Sequence, residues 1–93
     1  AYKEFFARVD WAEFIREPEG CQSNYWLNAI ILEDSKLRDK MLAITNKAGV
    51  MTRPIWKLMT DLKMYSDCFS GPIENARRLQ ERVVNIPSSA RGI

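Results

Sequence analysis

The stretch "NYWLNAIIL", from Asn24 to Leu32, constrains the fold more than any other part of the sequence. It is rich in aromatic and β-branched residues and is apolar on both faces, which is typical of a strand inside a covered sheet. Directly after it, apolar residues recur at the spacing of one helix face, at Leu37, Met41, Ile44 and Ala48. This order predicts a helix packed on a small sheet.

The remaining segments complete this architecture. Helical spacing at the start of the chain predicts the tail of a helix that begins before Ala1, in a longer protein. Four further elements are predicted: an imperfect strand within Val9 to Gly20, a short strand from Val50 to Pro54, a helix from about Pro72 to Val84, and an extended segment from Asn85 to Ser89. We therefore predict an α+β fold, a small antiparallel or mixed sheet of about three strands with helices packed on it.

Two of these elements carry more detailed expectations. Pro54 has no amide hydrogen to donate, so its strand should end there or lie at a sheet edge. The last helix is expected to bury one stripe, formed by Ile73, Ala76, Leu79 and Val83. On its outer face the spacing predicts a solvated ladder of charges, formed by Glu74, Arg78 and Arg82.

Composition narrows the function classes. The 93 residues suit a single domain, and a net charge of +2 gives no reason to expect nucleic acid or a membrane surface as a partner. The sequence contains no histidine, which removes imidazole catalysis and imidazole metal ligation. Cys21 and Cys68 are far apart in sequence; two free, partly buried thiols in a cytoplasmic protein are favoured over one disulfide. We expect no metal site and no catalytic residue in this chain.

Two residues near the middle of the chain are candidates for binding. Arg53 is held toward an extended backbone by Pro54, and a fixed guanidinium suits bidentate binding of phosphate or carboxylate. An exposed edge-strand arginine without a specific role is the alternative. Trp56 could stack on a sugar or base, or it could seal the core.

The quoted strand belongs to a longer set of motifs. "EGCQSNYWLNAIILED", "RDKMLAITNKAGVMTRPIWKLM", "MY" and "NIPSS" closely resemble the C-terminal small domain of the DegT/DnrJ/StrS sugar aminotransferases. The resemblance runs from about Phe5 to Ser89 and is strongest to the branch acting on nucleotide-linked 4-keto-6-deoxy sugars for bacterial surface glycans.

The resemblance implies a dimeric, cytoplasmic enzyme that uses pyridoxal 5'-phosphate to move an amino group from glutamate to a nucleotide-linked keto sugar. The cofactor and its Schiff-base lysine are implied to belong to a large domain outside these residues, so the fragment alone should bind no cofactor and be inactive. Arg53 matches the Thr-Arg-Pro segment and is the first candidate for contact with the nucleotide sugar. Asn24, Tyr25 and Trp56 lie in matching motifs and are further candidates.

One departure from the family pattern concerns Thr60. Relatives usually carry a histidine there, in a Leu-Met-His run, whereas this chain reads "KLMT". A different function also stays open, namely a free-standing interaction module that binds an anionic partner through Arg53 and the helix from Arg77 to Arg82.

Overall fold

A computed structural model of the chain describes residues 1–89. Within them it contains three α-helices, four β-strands and two short 3-10 helices. In chain order these are α1 (Tyr2–Phe6), β1 (Ala12–Phe14), β2 (Asn28–Leu32), α2 (Ser35–Lys47), β3 (Arg53–Pro54), the 3-10 helices Met59–Asp61 and Lys63–Tyr65, α3 (Glu74–Arg82) and β4 (Val83–Ile86).

The four strands form one antiparallel sheet in the order β1-β2-β4-β3. The α+β prediction is therefore confirmed, although the sheet has four strands rather than about three. The extra strand is β4, which lies between β2 and β3 although it comes last in the sequence. Pro54 lies in the edge strand β3, as its missing amide hydrogen requires.

The core lies where the two central strands meet helices α1 and α2. Ile30, Leu32 and Val84 have no solvent exposure, and Phe6 and Ile86 are also buried in this cluster. Half-buried side chains of α2, from Leu37, Met41 and Leu42, pack against it. Burial of each large aliphatic side chain contributes about 1.5–3 kcal/mol, so β2 and β4 carry much of the stability.

The predicted strand from Asn24 to Leu32 is too long, because its first half forms a turn. The Asn24 side chain accepts a hydrogen bond from the Trp26 amide at 3.0 Å, and the Ser23 hydroxyl accepts one from the Tyr25 amide at 3.0 Å. Tyr25 has a positive φ of 48°. These local side-chain bonds compete with strand pairing, so the sheet begins only at Asn28.

Helix α2 begins and ends at residues suited to helix termini. The Asp34 carboxylate accepts a hydrogen bond from the Leu37 amide at 2.7 Å and caps the helix. Gly49, with φ of 84°, follows its last turn. The predicted stripe is correct at Leu37 and Met41 and wrong at its other two positions. Ile44 is 57% exposed and Ala48 is also exposed, whereas Leu42 packs against the core.

The last helix is shorter than predicted. It ends at Arg82, and Val83 and Val84 belong to β4 rather than to the helix. The proposed stripe is wrong at Ala76 and Leu79, which are exposed. Among the described residues no ion pair joins Glu74, Arg78 and Arg82, so the predicted ladder does not form; the Arg82 Nε donates to the Leu32 carbonyl at 2.7 Å.

Two further features of the described residues bear on the expectations above. Cys21 and Cys68 are both free, as favoured, but they are exposed rather than partly buried. No helix in residues 1–89 has the length and apolar character that a membrane crossing demands.

Candidate substrate-binding groove

A groove of about 580 Å³ opens at one end of the sheet. We call it the Arg53 groove. Its lining comes from three segments: Trp26 and Leu27, then Met51, Arg53, Pro54 and Trp56, and finally Asn85 through Ser89.

The antiparallel topology brings these segments together. Asn28 at the start of β2 pairs with Ile86 at the end of β4, and Arg53 at the start of β3 pairs with Asn85. The three strand ends therefore meet at the same end of the sheet. Ser88 fastens this end, since its hydroxyl accepts from the Asn28 amide at 2.7 Å and donates to the Ile86 carbonyl at 2.8 Å.

Arg53 is exposed but firmly held on one side of its guanidinium. Its Nη1 donates to the Asn46 Oδ1 at 2.9 Å and to the Thr52 carbonyl at 2.8 Å. Its Nε and Nη2 make no hydrogen bond to any of residues 1–89. These two nitrogens form the edge that binds carboxylate or phosphate oxygens in parallel, so the arginine keeps its bidentate edge available.

Two tryptophans line the groove together with Arg53. Trp26 is 75% exposed and Trp56 is 66% exposed. Of the two roles left open for Trp56, sealing the core is therefore excluded. Exposed indole faces beside a cation suit the stacking of a planar ring, such as a nucleobase, next to an anionic group.

Asn24 and Tyr25, the other two predicted binding residues, do not line the groove. Asn24 closes the turn that carries Trp26, so it acts on the groove through the loop. The Tyr25 hydroxyl accepts from the Glu17 amide at 3.1 Å, and its ring stacks on Phe14 with centroids 5.9 Å apart. Direct contact of either side chain with a substrate stays a prediction.

Several residues of the site escaped the sequence analysis. Trp26 was grouped with a regular strand, although the turn before β2 leaves it on the groove. Asn46, at the end of α2, accepts a hydrogen bond from Arg53 and donates one to the buried Thr52, and neither residue was predicted to contribute to the site. The signal for Asn46 in the sequence is weak. It lies seven positions before Arg53, and this spacing predicts no contact unless the conformation of the loop between them is known.

The fold matches part of a larger solved enzyme. The crystal structure of the aminotransferase TlmJ from Streptoalloteichus hindustanus matches 92% of this chain with a TM-score of 0.78, at 23% sequence identity. The match covers 23% of the TlmJ chain, so this chain corresponds to less than a quarter of that protein. No family model and no curated protein matches the sequence. This chain has the fold of a part of an aminotransferase.

The residues of the groove do not fit pyridoxal phosphate itself. That cofactor is held through a lysine amine and by an acidic or basic partner of its ring nitrogen. The described lining includes neither a lysine nor a carboxylate, and its single charged residue is Arg53. The groove is therefore suited to a ligand that brings an anionic group and a planar ring, and no cofactor chemistry is derived from it.

Thr60, where the family pattern has histidine, lies in the 3-10 helix Met59–Asp61. Its Oγ1 is buried and has no hydrogen-bond partner among the described residues. It does not line the Arg53 groove. An unpaired buried hydroxyl carries a cost of about 1–3 kcal/mol, which marks Thr60 as the least satisfied polar position of this segment.

A second arginine organises the segment that follows the groove. The Arg77 Nη1 and Nη2 donate to the two Asp61 carboxylate oxygens at 2.9 and 2.8 Å, which ties Met59–Asp61 to α3. This hydrogen bonding by Arg77 lowers the pKa of Asp61, and the same contact raises the pKa of Arg77. Arg77 and Arg82 both serve internal contacts, so Arg78 is the one arginine of α3 without a side-chain hydrogen bond within residues 1–89. The basic face on which the interaction-module alternative depends is correspondingly small.

Proposed function

We propose that this chain is the C-terminal small domain of a pyridoxal-phosphate-dependent aminotransferase that acts on nucleotide-linked keto-deoxysugars. Its amino donor is glutamate, and its product feeds the synthesis of bacterial surface polysaccharides or glycans. The observation that carries the proposal is the Arg53 groove. Its arginine makes hydrogen bonds through Nη1 alone within residues 1–89, and two exposed tryptophans line the same groove.

Three independent points support this proposal. The Thr-Arg-Pro segment and its flanking motifs resemble the sugar aminotransferases. The fold matches a part of one aminotransferase. The groove offers one cationic edge and two aromatic faces, which is the combination that a nucleoside diphosphate requires.

In this proposal the groove binds and orients the nucleotide sugar. The free edge of Arg53 takes a phosphate group, and Trp26 and Trp56 offer ring faces to the base. Groups remote from the reacting carbon supply binding energy in this way, and that energy holds the keto carbon in position for the reaction.

The rest of the enzyme supplies the chemistry. The cofactor and its lysine belong to a large domain outside residues 1–93, and the parent enzyme is a homodimer in the cytoplasm. Pyridoxal phosphate serves as an electron sink during transfer of the amino group. The chain described here contributes one wall of the cleft and no catalytic residue.

The test is an assay of the full-length protein with glutamate and a panel of nucleotide-linked keto sugars. Wild-type protein should aminate at least one of them. Arg53→Ala should raise the KM for that sugar at least tenfold, because a charge-assisted hydrogen bond contributes about 1.5–3 kcal/mol. The reaction with glutamate alone, followed by the absorbance of the cofactor, should keep its wild-type rate.

Arg78→Ala is the matched control, since Arg78 is an exposed arginine of α3 outside the groove lining. It should leave both reactions unchanged. A protein that aminates none of the sugars would falsify the proposed activity. An unchanged KM in Arg53→Ala would remove Arg53 from the site while leaving the activity in place.

A further inference from the structure

We propose that Asn46 is a positioning residue that holds the Arg53 guanidinium in its ligand-binding orientation without neutralising its charge. This inference rests on the proposed function, because it assigns a role toward the ligand that Arg53 binds. It concerns the last turn of α2, to which the sequence analysis assigned no binding residue.

The Asn46 side chain is held in place by contacts other than its contact with Arg53. Its Nδ2 donates to the Leu42 carbonyl at 2.8 Å, to the Thr52 carbonyl at 3.1 Å and to the Thr52 hydroxyl at 3.0 Å. Thr52 is only 2% exposed, and its hydroxyl lies 2.6 Å from that of Thr45. The amide of Asn46 is thus anchored to the helix and to the buried residue that directly precedes the edge strand.

These contacts also decide which way the amide points. The carbonyl oxygens of Leu42 and Thr52 accept and require the NH₂ group of the side chain. On its other side, the Asn46 Oδ1 faces two donors, the Thr52 amide at 3.4 Å and the Arg53 Nη1 at 2.9 Å. A flipped amide would place NH₂ against the guanidinium, so the arrangement has one orientation only.

The choice of asparagine rather than aspartate has a consequence for binding. A carboxylate at this position would form an ion pair with Arg53 and cancel the charge that attracts an anion. A neutral amide oxygen fixes Nη1 but leaves the positive charge uncompensated. Together with the Thr52 carbonyl, it occupies a single nitrogen and leaves Nε and Nη2 available to a ligand.

Pre-orientation of this kind strengthens binding because the side chain loses less freedom when the ligand arrives. Ordering a long side chain opposes association, and an arginine already held at one end has part of that cost removed. Asn46 should therefore act on affinity only through Arg53. This gives the inference a signature that a purely structural role of Asn46 would not produce.

The experiment measures the Kd of inorganic pyrophosphate, which carries the anion and no base, on the full-length holoenzyme by calorimetry. Asn46→Ala should weaken binding about tenfold, the loss of one hydrogen bond to a charged group. Asn46→Asp should weaken it further, because the carboxylate competes with pyrophosphate for Arg53 and also lacks the NH₂ group that donates to Leu42 and Thr52. Arg53→Ala should weaken it at least as much as Asn46→Ala, and the double variant Asn46→Ala with Arg53→Ala should bind no worse than Arg53→Ala alone.

Asn75→Ala is the control, an exposed asparagine of α3 outside the groove, and it should bind pyrophosphate like wild type. Far-UV circular dichroism checks that each variant is folded; if either Asn46 variant unfolds, the other carries the test. Additive losses in the double variant would overturn the inference, as would wild-type affinity in both Asn46 variants. In either case a loss in Arg53→Ala keeps the proposed site. Unchanged binding in Arg53→Ala, or no binding by wild type, overturns the inference and the anion site together.

Discussion

Arg53 and Arg77 lie in two regions of the same small domain and use the same functional group in opposite ways. Arg77 donates through both terminal nitrogens to the two oxygens of Asp61, so its paired donors are satisfied within the protein. Arg53 donates from one nitrogen to two neutral oxygens, and its Nε and Nη2 make no hydrogen bond within residues 1–89. The first arginine joins two elements, whereas the second is the one to which we assign a ligand in the proposed function.

The surroundings of the two arginines differ in the same sense. Asp61 offers Arg77 a full counter-charge, and the pair fastens the 3-10 segment to α3. Arg53 has neutral partners and exposed tryptophans beside it in the groove. A charge that the fold leaves uncompensated, next to apolar surface open to solvent, is a stronger indication of binding than an arginine count. Arg53 and Arg77 therefore differ in their availability to a ligand, although the interaction-module alternative assigns both of them the same role.

Replacement of Trp56 gives the largest effect expected from these two regions beyond the Arg53 variants. If the proposed function holds, Trp56→Ala should raise the KM for the nucleotide sugar roughly tenfold or more, since stacking of a base on an aromatic side chain contributes about 1–3 kcal/mol. The melting temperature should change little, because the side chain is 66% exposed. Trp56→Phe, which keeps a ring, is the control and should recover part of the affinity. A KM unchanged in Trp56→Ala would break the link between this tryptophan and the ligand.

Replacement of Arg77 should have the opposite pattern. Arg77→Ala should lower the melting temperature by a small, measurable amount, because Asp61 loses both of its charge-assisted bonds. The KM for the nucleotide sugar should stay at its wild-type value. Differential scanning calorimetry and the sugar assay check the two parts. A variant with an altered KM and an unaltered melting temperature would contradict the division drawn between the two arginines.

Sequence patterns predicted the central part of the fold and missed the strand that completes it. The apolar run before Leu32 and the stripe of α2 predicted the strand and helix that build the core. Strand β4 was missed because α3 passes directly into it, with Val83 already extended at ψ of 136° and no glycine or proline between them. The helical spacing of Val83 therefore extended the predicted helix into the strand.

The site shows the same division between local and distant signals. Arg53 and Trp56, which line the groove, could be named as candidates, since proline fixes the backbone beside the arginine and the motif resemblance points to both residues. Trp26 could not, because the turn at Asn24 and Tyr25 interrupts the alternation of the predicted strand. Asn46 could not either, because its contact with Arg53 depends on how the loop from α2 returns to the sheet.

The pH dependence of the melting temperature is the smallest effect expected, and it is specific to the pair of Asp61 and Arg77. Hydrogen bonding to Arg77 lowers the pKa of Asp61 below its ordinary value of 3.8 in the folded protein, so folding favours the charged carboxylate. The stabilisation is complete above that ordinary value and is lost as the pH falls through the lower, folded pKa. Asp61→Asn should therefore reduce the melting temperature at pH 7, and the difference from wild type should shrink as the pH falls below about 3.8. Asp67→Asn, at an exposed carboxylate outside the pair, serves as the control. A difference for Asp61→Asn that stays constant down to pH 2 would mean that the pair does not stabilise the fold through its charges, and the contrast with Arg53 would then rest on geometry alone.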